Sequence, residues 1–174
     1  LGEAAQAELA TAAEALRPIC HARDVALLTT DAYGRVEALG LDGAHLDAQA
    51  AAQSTARARL GPERIMGVHC GRSLDRCFEA GDRRADYVSV GPVGDDLDAE
   101  DPGLWTVLEA WREHVVLPLV IEGDLSPASA ARLAPWADFI ALGAPIWDAP
   151  DGPGAAVSRY LKALDAARDA DPGG

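Results

Sequence analysis

The chain has 174 residues, of which 49% are hydrophobic and 25% charged, and its formal net charge is −13. This length is enough for one domain with a sizeable core, and we expect residues 1–174 to form a single domain. The acidic balance argues against nucleic acid or an anionic membrane as a partner, and no stretch has the length and composition of a membrane span or a signal peptide.

Short apolar runs alternate with helical patterns along the whole chain. Apolar runs of this length, bounded by turn residues, are typical of buried strands, and Ala/Glu/Leu-rich stretches are typical of helices. The predicted strands are 25–30, 43–47, 64–70, 87–93, 117–122 and 139–146. Helices are predicted over 3–17, 33–39, 48–60, 73–80, 102–115 and 154–170. Pro18 ends the first of these and Gly40 ends the second. A further helix is predicted to begin at Pro127, with Ser126 as its N-cap.

Six strands that each precede a helix indicate an α/β protein with a parallel sheet covered on both faces. Two architectures fit this pattern: an open doubly wound sheet and a (β/α)8 barrel. No GxGxxG segment follows a strand, which disfavours a dinucleotide site. The three cysteines, Cys20, Cys70 and Cys77, have no metal-site spacing, so free thiols in a reducing cytoplasm are expected.

Several segments, in order, resemble the thiamine-phosphate synthase and thiazole tautomerase family. GLDGAHL (40–46) is similar to the family's GADGVHLGQ, and LGPERIMGV (60–68) to its LG…IIGVS. ADYVSVGPV (85–93) matches ADYVGVGPVF, PLVIEGDL (118–125) stands at PVVAIGGI, and ADFIALGAPI (137–146) resembles ADGVAVVSAI. LLTTD (27–31) stands at the family's LLIND.

The resemblance implies a TIM-type phosphate-binding (β/α)8 barrel. The six predicted strands would be the third to eighth strands of that barrel, and its first two strands have no counterpart here. The chain starts at Leu1 in helical sequence without a methionine, which indicates that residues precede it. We therefore expect an exposed apolar edge where the first two strands would lie.

Ligands of such barrels bind at the carboxyl ends of the strands, which directs attention to Asp31. A carboxylate that follows a buried strand can bind Mg²⁺, which prefers oxygen ligands, and the resemblance assigns Asp31 to a Mg²⁺-binding aspartate. The alternative is an aspartate that caps the next helix. The family's second metal aspartate falls on Ala50 here, and Asp47 is a possible substitute.

Phosphate binding is expected at the ends of the later strands. Glycines there let backbone N–H groups approach a phosphate, although they can equally serve tight turns. The predicted substrate- or phosphate-binding residues are Gly91, Pro92, Gly123, Gly143 and Ala144. Where the family has a Gly-Gly pair, this chain has Asp124 in place of the second glycine, and its carboxylate would repel a phosphate.

Three other residues at strand ends are weaker candidates. His45 lies between apolar neighbours, which favours a hydrogen-bonded core histidine over a ligand. His69 and Cys70 stand where the family has S-x-H, in an alignment uncertain by one residue, and neither is assigned as a catalytic base.

The loop after Val93 departs most from the family's FPTxTK. It carries five carboxylates in the seven positions 95–101, and the only lysine in the chain is Lys162 in the last helix. Such a loop would exclude a bare pyrophosphate unless metal ions intervene, although a solvated acidic loop explains it equally well.

The resemblance predicts a cytoplasmic enzyme of thiamine biosynthesis that joins aminopyrimidine pyrophosphate to thiazole phosphate with Mg²⁺. Its partners would be small phosphorylated heterocycles, and a homo-oligomer is possible. The alternatives are an inactive member that binds or regulates, and a thiazole tautomerase. Because the family's basic groups are replaced, weak or absent synthase activity is expected from this chain.

Overall fold

The computed structural model describes residues 3–47, 50–96 and 102–170. The chain divides into two compact units, Leu1–His69 with Cys77–Tyr87, and Cys70–Arg76 with Val88–Gly174. Among the described residues, no helix is both long enough and apolar enough to cross a bilayer.

The first unit contains three parallel strands whose order in the sheet follows the chain. Leu28 pairs with Gly43 and Gly43 with Ile65, so the three strands start at the same level. The buried side chains of Ala44, Leu46, Met66 and Val68 form the centre of its core. The elements are α1 Glu3–His21, β1 Leu28–Thr30, α2 Val36–Leu39 after a 3₁₀ turn Tyr33–Arg35, β2 Gly43–Leu46, α3 Ala50–Leu60, β3 Ile65–His69, and α4 Leu74–Asp82, whose first three residues belong to the second unit.

The second unit also contains three parallel strands in chain order. Val88 pairs with Leu119, and Val120 pairs with Phe139. Its core is built from fully buried aliphatic side chains such as Val107, Leu108 and Ile121. The elements are β4 Tyr87–Val90, α5 Pro102–His114, β5 Leu119–Glu122, α6 Pro127–Leu133 followed by a 3₁₀ turn Ala134–Trp136, β6 Phe139–Ala141, α7 Ala144–Trp147 and α8 Pro153–Ala170.

Three predicted boundaries were wrong because of a proline. Helix α1 continues past Pro18 to His21, since this exposed proline removes only its own N–H from the helix. Strand β4 ends at Val90 because Pro92 cannot donate to a ladder. Strand β6 ends at Ala141, and Pro145 lies in the first turn of α7 instead of in the strand.

Two predicted helix signals are confirmed. The Ser126 hydroxyl accepts a hydrogen bond from the N–H of Ser129 at 3.2 Å and so caps α6. Gly40 ends α2 with φ of 63°, a left-handed conformation that side chains disfavour.

An aspartate stands immediately before every second strand and makes the same two-point contact each time. Its N–H donates to a carbonyl at the start of the preceding strand, and its Oδ2 accepts the N–H of that same residue. The pairs are Asp42 with Leu27 (3.0 and 2.7 Å), Asp86 with Met66 (2.8 and 2.7 Å) and Asp138 with Leu119 (3.0 and 2.8 Å). The repeated contact fixes how successive strands are aligned.

The aspartate before β2 should make stability depend on pH. Asp42 Oδ2 also lies 2.9 Å from Nε2 of His21. Partial burial alone would raise the pKa of the Asp42 carboxyl, but the hydrogen bonds from Leu27 and His21 outweigh it and lower the pKa. A lowered carboxyl pKa stabilises the fold above the unfolded-chain pKa of about 3.9, and this contribution is lost as pH falls through the folded-state pKa.

We therefore expect Asp42→Asn to destabilise the chain by about 1 kcal/mol at pH 7, measured by urea unfolding. The gap between wild type and variant should shrink as pH is lowered from 5 toward 3. The exposed Asp82→Asn serves as the matched control and should follow wild type throughout. A gap that stays constant down to pH 3 would contradict this assignment.

Arg57 on α3 donates hydrogen bonds to four residues, and only 13% of its side chain is exposed. Its Nη1 donates to the carbonyls of Gly61 and Arg64, both at 2.9 Å. Its Nη2 donates to Arg84 O and Asp86 Oδ2, both at 2.6 Å, and Nε donates to Arg84 O at 3.0 Å. One guanidinium therefore joins α3, the approach to β3 and the approach to β4.

The second unit has exposed apolar side chains along β6 and α8. Phe139 on β6 is 62% exposed, and Leu161 on α8 is 55% exposed. Both line an open groove of about 1010 Å³ together with Ile140, Val157 and Leu164. The apolar side of this strand is therefore left in contact with solvent.

Candidate functional site

Asp31 lies directly after β1, where the sequence places the metal ligand. Its backbone has φ of 55°, and its N–H donates to His45 O at 2.9 Å. Its Oδ1 accepts the N–H of Asp47 at 3.0 Å. Within the described part of the chain, Oδ2 has no hydrogen-bond partner, so an exposed carboxylate is held in one place with one oxygen left for a ligand.

A cavity of about 470 Å³ adjoins this carboxylate and lies wholly in the first unit. Its polar wall is formed by Thr30 and Asp31 from the end of β1, and by Arg35 from the turn that follows. Gln6 of α1, Ala32 and Gly34 complete it. The cavity thus carries one carboxylate and one guanidinium, a combination that suits an anion bound together with a cation.

The structure confirms that His45 is a hydrogen-bonded histidine. Its Nδ1 lies 2.9 Å from the Tyr87 hydroxyl, and the two rings stack with centroids 5.6 Å apart. Gly67 makes room for this pair, because a Cβ there would lie 2.0 Å from the Tyr87 ring. A ring nitrogen of the half-buried His69 lies within 4.8 Å of one of His45. Tyr87 therefore fixes the orientation of His45.

In the second unit, the Gly91–Pro92 segment after β4 is already committed to protein contacts. The N–H of Gly91 donates to Gly71 O at 3.0 Å. The carbonyl of Pro92 accepts from Arg72 Nη2 at 2.6 Å. Arg72 therefore brings a positive charge to the end of β4, where the sequence analysis assigned no basic group.

Gly123 is explained by packing, since a Cβ there would lie 1.9 Å from Val93 O. Its N–H donates to Ala141 O at 3.2 Å, so this amide is used inside the sheet. Gly143 differs, because a Cβ there would meet nothing within 4 Å. With Ala144 it begins α7, so the end of β6 is the strand end of this unit that a ligand can approach closely.

The acidic loop after Val93 contacts the start of α6. Oδ1 of Asp95 accepts the N–H of Ser126 at 2.7 Å. This bond, with further hydrogen bonds from the hydroxyls of Ser129 and Ser126, lowers the pKa of Asp95. Asp124 is exposed nearby in the chain, and residues 97–101, like the side chain of Ala50, lie outside the described residues. Negative charge thus occupies the position where the resemblance implies phosphate contacts.

Comparison with known proteins identifies the family. Residues 2–146 match the family described as thiamine monophosphate synthase. The chain belongs to this family. Thiamine-phosphate synthase from Hyphomonas neptunium is 37% identical over 139 residues, which are 78% of this chain and 63% of that protein. Its counterpart from Erythrobacter litoralis is 35% identical over 168 residues, 93% of this chain and 78% of the relative.

A solved structure confirms the predicted fold class. Thiamine phosphate pyrophosphorylase from Pyrococcus furiosus superposes with a TM-score of 0.75 at 23% identity, covering 92% of this chain and 77% of that one. The thiamine monophosphate synthase family member described here is therefore an α/β protein of the TIM-barrel type. The chain spans less than two thirds of the length of the Hyphomonas relative.

The sequence analysis missed three polar residues that the structure places at strand ends or beside them. Arg35 and Arg72 were not singled out because neither lies in a segment that carries the family resemblance. Their position a few residues after a predicted strand was an available signal, since basic side chains there can reach a strand end. Tyr87 was seen only as part of a strand, and its bond to His45 depends on a register that the sequence does not reveal.

Proposed function

We propose that this chain forms the substrate site of a thiamine-phosphate synthase, which joins aminopyrimidine pyrophosphate to thiazole phosphate. The observation that carries the proposal is the anchored Asp31 carboxylate at the end of β1, in a chain of the thiamine monophosphate synthase family. The relatives from Hyphomonas neptunium and Erythrobacter litoralis, both named thiamine-phosphate synthase, support it.

The residues around Asp31 fit a magnesium ion. Mg²⁺ in phosphate-transfer sites takes one or two carboxylates, keeps several waters and completes its shell with substrate phosphate oxygens. Asp31 Oδ2 offers one such ligand, and the neighbouring Thr30 is exposed at the same cavity. When bound, Mg²⁺ would supply positive charge against a leaving pyrophosphate.

In the proposed reaction, the bond between the pyrimidine methylene carbon and the pyrophosphate oxygen breaks, and pyrophosphate departs with the bonding electrons. The thiazole ring nitrogen then donates its lone pair to the cationic carbon and forms the new C–N bond. Asp31 would hold the Mg²⁺, whose positive charge would favour departure of the pyrophosphate. Within the second unit, we assign phosphate binding to the end of β6, where Gly143 borders open space and Ala144 begins α7.

A second candidate, a binding or regulatory protein that has lost this chemistry, is supported by the later strand ends. The amides of Gly91 and Gly123 donate to Gly71 and Ala141, so neither is available to a phosphate. Asp95 adds a carboxylate at the start of α6. Such a protein would bind the substrates without converting them.

The two candidates are separated by an end-point assay with protein in excess over substrate. The purified chain is incubated with aminopyrimidine pyrophosphate, thiazole phosphate and Mg²⁺, and thiamine phosphate is measured by chromatography. Synthase function predicts product that requires Mg²⁺ and disappears in Asp31→Ala, while the exposed Glu37→Gln retains it. Substrate binding without product, or product that is equal in Asp31→Ala, would contradict it.

We also propose that the protein acts in the cytoplasm on small phosphorylated heterocycles. Cys20, Cys70 and Cys77 are all thiols outside a disulfide, which suits a reducing compartment. Cys70 and Cys77 are fully buried and contribute to packing.

A further inference from the structure

Arg35 is a charged side chain whose contacts within the protein are incomplete. It closes the 3₁₀ turn after β1 and lines the cavity beside Asp31. Its Nε is shut off from solvent and, among the described residues, has no hydrogen-bond acceptor. A buried N–H without an acceptor is costly and rare in folded proteins, so its presence calls for a specific explanation.

The surroundings of Arg35 indicate which ligand its guanidinium would bind. The cavity contains one guanidinium and one carboxylate, and its remaining wall is made of neutral residues. An anion drawn to Arg35 would be repelled by Asp31 unless a cation lies between them. A guanidinium binds phosphate oxygens through paired N–H groups, and a carboxylate binds a hard divalent cation. The ligand that satisfies both is a diphosphate carrying a divalent metal ion.

We propose that Arg35 binds the diphosphate group of the substrate, with the terminal nitrogens of its guanidinium donating to the diphosphate oxygens, beside the cation that Asp31 would hold. This inference rests on the proposed function and adds to it a residue outside the segments that carry the family resemblance. It also supplies a positive charge to a site that contains no lysine. Arg35 contributes to binding of the substrate and takes no part in the breaking or forming of bonds.

The test is calorimetric titration of the full chain with inorganic pyrophosphate and Mg²⁺, accompanied by urea unfolding without ligand. Arg35→Met should weaken pyrophosphate binding about tenfold or more, because a charge-assisted pair of hydrogen bonds is lost. The same variant should unfold at the same urea concentration as wild type or a higher one, since it removes a buried unpaired donor. Arg35→Lys keeps the positive charge but lacks the forked guanidinium. It should bind pyrophosphate more weakly than wild type and more tightly than Arg35→Met.

The matched control is Arg59→Met, an exposed arginine on α3, which should bind pyrophosphate as wild type does. The assignment is overturned if wild type does not bind pyrophosphate, if Arg35→Met binds it equally well, or if that variant binds weakly and is also destabilised. Equal affinity of wild type for inorganic phosphate and pyrophosphate would also overturn it. Arg35-dependent binding in a chain that forms no thiamine phosphate would contradict the proposed function and leave the Arg35 assignment intact.

Discussion

Multiple-turnover synthesis of thiamine phosphate by this chain is expected to be slower by about 10³-fold or more than synthesis by the Hyphomonas neptunium relative, assayed side by side. Loss of one positioned charge stabiliser costs about 10²–10³ in rate. The family resemblance places the second metal aspartate at Ala50 and the lysine-bearing loop at the acidic sequence of 95–101. Arg35, which we propose to bind the diphosphate, should offset part of this loss.

Restoring one missing group provides the control. Ala50→Asp should raise the turnover rate about tenfold, because it returns a carboxylate to the position of the second metal ligand. Ala51→Asp adds the same charge one residue along the helix and should leave the rate unchanged. Turnover of the unmodified chain at the relative's rate, abolished by Asp31→Ala, would show that the replaced groups are not needed.

Arg57→Met is expected to lower the free energy of unfolding by about 2–4 kcal/mol, a large loss for one substitution. The variant keeps the aliphatic stem but removes the donors to Gly61, Arg64, Arg84 and Asp86. Three of these acceptors are backbone carbonyls at the ends of elements. The free energy of unfolding, measured in urea at pH 7, gives the change directly.

Two variants show whether the forked guanidinium is responsible. Arg57→Lys keeps the charge but cannot serve several acceptors at fixed angles, so it should recover less than half of the loss. Arg59→Met, two residues further along α3, should change the free energy of unfolding by about 0.5 kcal/mol at most, as expected for an exposed position. An Arg57→Met variant as stable as the Arg59 control would refute this account.

The strand–helix alternation was predictable because each element has its own local signal. Buried parallel strands appear as apolar runs, and caps such as Ser126 and Gly40 mark helix boundaries. The exact lengths of the strands were not predictable, since they depend on where the hydrogen bonds between neighbouring strands end. Strand β1 has three residues instead of the expected six. It begins only at Leu28 because the N–H of Leu27 donates to the side chain of Asp42 instead of to a neighbouring strand.

For the site, the sequence predicts positions better than contacts. Asp31 and Gly143 lie at strand ends as expected, because those positions follow from the element pattern alone. The engagement of the Gly91 and Gly123 amides could not be foreseen, since each is bonded to a residue distant in sequence, Gly71 and Ala141. The same applies to the unpaired Nε of Arg35, which is visible only when the turn is folded.

The central claim is that Asp31 holds a divalent cation with the substrate's pyrophosphate at the end of β1. It is tested most directly by diffraction from crystals of the chain soaked with Mn²⁺ and inorganic pyrophosphate, using the anomalous signal of manganese. We predict an anomalous peak within bonding distance of Asp31 Oδ2, with pyrophosphate between it and Arg35, and no peak in Asp31→Ala crystals. Manganese and pyrophosphate bound only at other carboxylates, such as Asp95 or Asp124, would contradict the claim.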